Sequence, residues 1–491
     1  VAALAAAAVP YVPTLRLGFA GDDFPWWHHA HMARLRPALL LAPFGGYRPA
    51  NTWTLAVDDA LFGTEPEGYR VTNLALLLTC AGLLAAAARR EGAPVVAAAA
   101  TATLLAWSPL VFEPATNVSD RFDLIQLAGW LGLALVWPRG GARWSRRHLA
   151  GVVALAALTA AAKESWVVLP GFVAVLELLV RRMPARRALR SAALAAAPAA
   201  AYAAWYFAHP AISPGAYYAG GLAAAAKLPH IWAAALGLAR LRPAGWAFGP
   251  AEAVAAAAVA AAAWAAWRWR LAGVGYGLAL MTLPVLPVLP VPTLTTRYTA
   301  APWAGALLAG VSGLAALAAA RPAWRRRAWS AAAVLAIAAA ISGAVRLGHE
   351  REDLARWVAL HARLVAEARA AVSSLPAVSR LVAVRLERDD LLRGLPGTER
   401  GLEKAYFVRV GAPYGLVEWA DLLTFADAAR GGRIWVAESQ PPSPGRARFA
   451  VLAHRRGGFA ILPASEPSAA EEAGLWRSRG VPVRLLRLWL P

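Results

Sequence analysis

The chain has 491 residues, 59% of them hydrophobic, and a mean hydropathy of +0.46, more apolar than an ordinary soluble domain, so the excess faces lipid. Its formal net charge of +21 lies in short arginine runs between apolar stretches, the pattern of the positive-inside rule, which excludes nucleic acid as a partner. The single cysteine, Cys80, excludes an intramolecular disulfide.

Lysine occurs only at Lys163, Lys227 and Lys404 while Ala, Arg, Gly and Pro abound, the signature of a GC-rich bacterial genome. On that reading Asn117-Val118-Ser119 is no glycosylation site, and the expected location is the bacterial inner membrane. About ten apolar residues open the chain at Val1, short of the roughly 20 that a spanning helix needs; they are expected to be the end of a first span. Apolar runs follow at 70–88, 94–112, 123–138, 148–162, 165–180, 191–208, 250–267, 271–289, 299–319 and 328–346, which makes about eleven spans.

The connectors sort by charge. Arg89-Arg90, the stretch Arg139 to Arg147, Arg181 to Arg190, Arg268 to Arg270 and Arg321 to Arg327 fall on alternate turns, which places them on the cytoplasmic side. Outside are 11–69, 113–122, a tight turn at Lys163-Glu164, 209–249, 290–298 and everything after 347. The segment 228–242 is apolar but carries Arg240 and Arg242; it reads as an interfacial or re-entrant helix, because a span there would invert every later loop. From about 350 acids and bases mix. Runs at Leu381 to Leu386, Ile434 to Ala437, Phe449 to Ala453 and Val483 to Leu488 read as strands, with helices at Asp353 to Ala371 and Trp419 to Ala429. The expected domains are a membrane unit, 1–346, with outer loop 11–69, and an extracytoplasmic soluble α/β domain, 347–491.

Charges near the outer face that topology does not explain are candidates for function. Asp22 and Asp23 follow the first span closely, and adjacent carboxylates suit a shared cation, proton or donor; a solvated loop is the plainer reading. Trp26-Trp27-His28-His29-Ala30-His31 fits an interfacial helix, with metal ligation the alternative. Tyr47, Arg48, Asn51, Trp53 and Asp58 lie on a stretch that also reads as an amphipathic helix on the membrane. The run Glu113 to Asp123, containing Asp120 and Arg121, is either a structural ion-pair cluster or part of a site. Lys163, Glu164 and Arg297 share its face, and an arginine there suits a phosphate.

These residues, taken in order, resemble a family. The Asp-Asp loop, Tyr47-Arg48-Pro49, Asp58 with Ala60-Leu61-Phe62-Gly63, Gly68-Tyr69, Thr72-Asn73-Leu74, Ser119 to Leu124, Lys163-Glu164 and Arg297-Tyr298 are similar to the GT-C superfamily of polyprenyl-phosphate-sugar-dependent glycosyltransferases. The tetratricopeptide-repeat O-mannosyltransferase-like proteins and their bacterial relatives offer the nearest pattern, over roughly 16–310. Ser108-Pro109 stands where relatives often have His-Pro, no Glu precedes Arg297-Tyr298 in the usual place, and the C-terminal region shows no tetratricopeptide repeats. The resemblance implies a polytopic helical GT-C-like fold and inverting sugar transfer from a lipid-phosphate donor to an acceptor hydroxyl or amine at the outer surface. It implies Asp22 or Asp23 as general base, Arg297, Arg121 and Lys163 as cations for the donor phosphate, and Tyr47, Arg48, Asn51, Asp120 and Glu164 along the substrate cavity. A divalent metal is the alternative to those cations. The expected partners are membrane lipid, the lipid-linked sugar and an acceptor that the sequence does not name. A lipid or solute transporter and a non-catalytic membrane scaffold are the rival readings.

Overall fold

The computed structural model describes residues 2–41, 48–137, 145–175, 177–178, 183–208, 225–241, 248–290 and 294–373, and beyond them Phe425 and five strands. In chain order the helices are α1 (Ala2–Ala8), α2 (Asp23–Leu35), α3 (Pro49–Phe62), α4 (Pro66–Arg90), α5 (Val95–Ala106), α6 (Phe112–Thr116), α7 (Arg121–Val136) and α8 (Arg146–Ala162). They continue with α9 (Leu169–Val175), α10 (Ala185–Ala208), α11 (Lys227–Ala235), α12 (Pro250–Trp269), α13 (Ala272–Thr282), α14 (Ala300–Ala320) and α15 (Pro322–Ser373). Short 3-10 turns precede several of them, notably Thr296–Thr299 before α14.

Local chemistry sets these bounds. Pro49, Pro66 and Pro250 open α3, α4 and α12, where the missing N–H costs nothing. Ser145 caps α8 by accepting from the His148 amide at 3.2 Å. Past the end of α4 the chain turns on Gly92 in the left-handed region, φ +90°. Ser108-Pro109 interrupts the second apolar run, since proline cannot continue the helical ladder; α5 and the segment Pro109–Thr116 meet at 62°.

Among the described residues, four helices are long and apolar enough to cross a membrane, Pro66–Arg90, Pro250–Trp269, Thr296–Ala320 and Pro322–Ala359, or five if the bent pair is one span. Of the other expected spans, 191–208 lies in the 24-residue α10 and the rest fall on shorter or broken helices. At nine residues α11 is only about 14 Å long, too short to cross, and it lies where an interfacial helix is expected. α15 is 52 residues long and runs without a break through residues 346–347, so the last span and the helix expected at Asp353 to Ala371 are one element. Its outward face carries Val334, Leu335, Ile337, Ile341 and Val345, all more than 60% exposed or close to it, which suits lipid and not water.

Helices approach closely where small residues meet. A Cβ on Gly305 would stand 2.4 Å from the Gly277 carbonyl oxygen, and one on Gly277 2.5 Å from the Ala309 nitrogen, so α13 and α14 touch backbone to backbone. Two ends of the bundle are recognisable through α4 and α7. Arg90, at the end of α4, donates to carbonyls at the end of α7, including that of Ala134 at 2.7 Å, while the start of α7 lies about 24 Å away along 16 residues.

The strands are β1 (Arg380–Ala383), β2 (Trp435–Glu438), β3 (Phe449–Arg455), β4 (Gly458–Ala464) and β5 (Leu486–Arg487), in the order β4-β3-β1-β2-β5. β1 runs parallel to both β2 and β3, with Leu381 opposite Val436 and Ala450. β3 and β4 form an antiparallel pair, and β5 pairs antiparallel with β2. Four strands coincide with the apolar runs read from the sequence; β4 was missed because Pro463 and two flanking glycines break its pattern. The helix expected at Trp419 to Ala429 lies outside the described residues, Phe425 apart.

Replacing Gly305 by leucine forces α13 and α14 apart, at a cost of about 1–3 kcal/mol for overpacking. A thermal melt of purified protein is expected to shift downward by several degrees; an unchanged melt would show that this crossing is not as close as described.

Candidate active site

Four segments that the charge pattern put on one side meet at one end of the bundle. The first is the loop into α2. Gly21, with φ +53°, turns the chain so that Asp22 sits at the N-cap and Asp23 begins the helix. Asp23 is buried and both its oxygens are used: Oδ2 accepts from the Ala20 amide at 3.1 Å and Oδ1 from the Ser119 amide at 2.9 Å. Burial pushes its proton affinity up, against the Arg70 cation and those two amides. Arg70 in turn donates to the carbonyls of Leu17, Gly18 and Thr116, tying the first loop to the second. Asn73, one turn along α4, donates to the Asn117 carbonyl at 2.7 Å.

Asp22 differs from its neighbour. It is half-buried and makes no side-chain cap bond, and among the described residues its carboxylate has no hydrogen-bond partner. Its pKa is pushed up to about 8, first by burial, then by the carboxylates of Asp120, Asp23 and Glu113, with Arg297 opposing them. The helix N-terminus favours the ionised form and does not outweigh the crowding.

The second segment, 113–123, supplies most of the remaining acids, and each has its own counter-group. Glu113 Oε2 accepts from the Thr296 hydroxyl at 2.6 Å and the Arg297 amide at 2.9 Å. Asp120 Oδ1 accepts from the Arg297 guanidinium at 2.6 Å, and its Oδ2 from the Asn117 side chain at 3.1 Å. Asp123 is paired with Lys163, which ends α8. Aromatic faces line the cations: Lys163 Nζ lies 4.6 Å from the centre of the Tyr298 ring and Arg297 Cζ 5.2 Å from it, while Arg48 stands 4.1 Å above Phe122. Between them is a cavity of about 20 Å³, with Asp123, Gln126, Lys163, Arg297 and Tyr298 in its wall, room for about one water. Asp123 Oδ2 and Gln126 Nε2 have no partner among the described residues.

Of the sequence-derived candidates, Asp22, Asp23, Asp120, Arg297 and Lys163 are brought into one cluster, with Arg48 at its edge and buried Asn51 donating to the Ser119 carbonyl at 3.1 Å. Tyr47 and the side chain of Glu164 lie outside the described residues. Arg121 stands apart from Arg297 and Lys163: it has no exposed surface, pairs with Asp58 at 2.5 Å and donates to the Tyr69 carbonyl at 3.1 Å. Of the histidines, His31 is held by Asp59 at 3.0 Å, and among the described residues no group of three His, Cys, Asp or Glu is arranged for a metal ion. Glu113, Asp123 and Arg70 were not singled out individually. The first two sit in the same acidic run as Asp120, and Arg70 showed only as an arginine at the outer end of a span.

A second cavity, of about 500 Å³, has Thr296 in its lining together with apolar Leu104, Trp107 and Trp303 and polar Arg240, Arg346, His349 and Glu350.

Because the native state holds a proton on Asp22 more tightly than the unfolded chain does, stability falls as pH rises from about 4 to about 8 and is level beyond. Asp22→Asn removes that dependence. The melting temperature of the variant minus that of the parent is therefore expected to grow across this window; a constant difference would contradict the raised pKa. Asp23→Asn is expected to destabilise, since its amide NH2 must face a backbone N–H, a loss of about 1–3 kcal/mol that a denaturation curve detects.

No family model matches the sequence, and no curated protein matches it. Solved structures do resemble the chain. ArnT from Cupriavidus metallidurans in the apo state shares 15% identity over 88% of each chain with a TM-score of 0.47. The same protein bound to undecaprenyl phosphate shares 14% over 92% of each chain, at 0.45. An Archaeoglobus fulgidus oligosaccharyltransferase, tethered with an acceptor peptide containing the NVT sequon via a disulfide bond, shares 10% over 94% of this chain and 74% of its own, also at 0.45.

Proposed function

We propose that the chain is a multi-pass membrane glycosyltransferase of GT-C type, which moves a sugar from a polyprenyl phosphate to an acceptor on the extracytoplasmic face, with Asp22 as general base. The observation that carries this reading is the division of labour in the acidic cluster. Asp23, Glu113, Asp120 and Asp123 are each bound to a cation or a backbone amide, while Asp22 has no hydrogen-bond partner among the described residues and its proton affinity is raised to about 8. A carboxylate so placed accepts a proton near neutral pH far better than a free aspartate.

In the proposed reaction the acceptor oxygen or nitrogen bonds to the anomeric carbon from the side opposite the phosphate and gives its proton to Asp22. The bond from that carbon to the phosphate oxygen breaks, and its electron pair leaves with the lipid phosphate. The leaving group needs cations more than a proton, and Arg297 and Lys163 supply them. Arg121, enclosed by Asp58 and Tyr69, serves the frame in this account. The larger cavity beside Thr296, lined by apolar residues and by Arg240, Arg346 and His349, suits a lipid phosphate whose head reaches Arg297. The two ends of the bundle support this orientation: Arg90 lies at one and the acidic cluster at the other, and basic connectors face the cytoplasm. Asp120, Arg48 and Asn51 line the approach, and the strand-bearing C-terminal region forms an extracytoplasmic α/β domain.

Asp22→Asn is expected to lower turnover about a hundredfold or more while donor binding changes little. In the parent, turnover is expected to rise with pH towards about 8. Undiminished transfer from labelled polyprenyl-phosphate sugars by this variant would refute the base. Arg297→Lys, which keeps charge but loses the fork, should weaken donor use, and unchanged donor affinity and turnover in Arg297→Ala would reduce Arg297 to a membrane-interface anchor.

A further inference from the structure

The far end of α15 reaches back to the loop that presents Asp22. His361 is buried, at 2% exposure, and lies 340 residues from Gly21, yet its Nε2 is 3.2 Å from the Gly21 amide nitrogen. Its Nδ1 is 3.0 Å from the carbonyl oxygen of Trp357, one turn earlier in α15. A carbonyl only accepts, so Nδ1 carries the proton and Nε2 presents its lone pair, which the Gly21 N–H meets. The two backbone groups thus define one tautomer from opposite sides. Burial lowers the pKa of this ring to about 4, so it is neutral at ordinary pH and the acceptor is retained.

The surroundings of the loop match this contact. The ring of His361 stacks on Phe24 at 5.8 Å and meets the edge of Trp357 at 4.6 Å. A Cβ on Gly18 would come within 3.3 Å of Val358, so α15 lies against both ends of the turn. From the C-terminal region Phe425 closes on Phe19, Phe24 and Trp27 at 5.4, 5.3 and 5.0 Å. Among the described residues Asp22 itself makes no side-chain bond that would hold it; its place depends on the backbone on either side, and the amide just before it is the one that His361 fixes.

We propose that His361 is a positioning residue for Asp22, and that the extramembrane end of α15 with Phe425 forms one wall of the active-site loop. This rests on Asp22 being the base. A displacement of about 1 Å of a reacting group costs on the order of a hundredfold in rate, so the anchor acts on turnover and not on donor affinity.

The test uses the full-length chain and the variants H361Q, H361N and H361L. Glutamine places an amide oxygen near the position of Nε2, asparagine carries the same group one methylene short, and leucine has no acceptor. Hydrogen–deuterium exchange of the segment 17–27 needs no substrate: about tenfold faster exchange is expected in H361L and H361N, and near-parental exchange in H361Q. Sugar transfer from radiolabelled undecaprenyl-phosphate hexoses should fall about ten- to a hundredfold in turnover in the first two, with the donor KM steady, and recover in H361Q. Unchanged exchange in H361N and H361L overturns the anchor. Faster exchange with undiminished turnover makes His361 a structural residue only and overturns its role towards Asp22. If the parent transfers no sugar, the proposed function fails while exchange still decides the contact; H361N against H361Q keeps the comparison if the leucine variant does not fold.

Discussion

Arg297 holds two carboxylates at once, Asp120 through its guanidinium and Glu113 through its backbone amide, and the rest of the site depends on that double grip. Around it lie Asp22, Asp23, Glu113, Asp120 and Asp123 on the acidic side and, among the described residues, Arg70, Lys163 and Arg297 on the basic side, with Arg48 at the edge. Buried like charges repel strongly at short range, so such a cluster keeps all its acids ionised only when each has a counter-charge or a set of N–H donors. Four of the five have one. The fifth, Asp22, has none among the described residues; burial raises its proton affinity as it does those of Asp23 and Glu113, and in the proposed reaction Asp22 is the base.

The scaffold makes this possible by letting helix ends, not helix middles, carry the charge. Asp22 precedes α2, Glu113 and Asp120 flank the bend after Ser108-Pro109, Lys163 ends α8, and Arg297 lies in the turn ahead of α14. Each of these is a place where backbone N–H or C=O groups lack a helical partner, and the side chains use them: Ser119 and Ala20 amides on Asp23, Leu17 and Thr116 carbonyls on Arg70. The bundle below is bound by small residues and apolar contacts and contributes rigidity. Asn51 and Asn73 join the first two loops from below, and the Asp58–Arg121 pair braces α3 against α7. His361 and Phe425 close the same region from the far end of the chain.

Much of this was legible from composition and charge. The apolar runs mark nearly all the helices because lipid tolerates few polar residues, and the alternating arginines brought the four site segments to one face. Lys163 and Arg297 stood out because a cation at the end of an apolar run is costly. What could not be read was partnership. Nothing in the order Asp22-Asp23 says that Asp23 is bound by two amides while Asp22 has no partner among the described residues, since one amide comes from the turn at Ala20 and the other from Ser119, nearly 100 residues away. Arg121 looked equal to Arg297 for the same reason, until Asp58 was found against it. Gly21 and His361 are far apart in sequence, and a histidine in a long amphipathic helix gives no sign of its contact. The span pattern also concealed that the last span and the following helix are a single α15.

The central claim is that Asp22 holds its proton near neutral pH. Difference infrared spectroscopy of the full-length protein against Asp22→Asn isolates the carbonyl stretch of that single protonated carboxyl and follows it through a pH titration. A band assigned to Asp22 that persists at neutral pH and disappears around pH 8 is the result the account predicts. A band already lost by the time pH reaches the ordinary aspartate range, about 4, would contradict it.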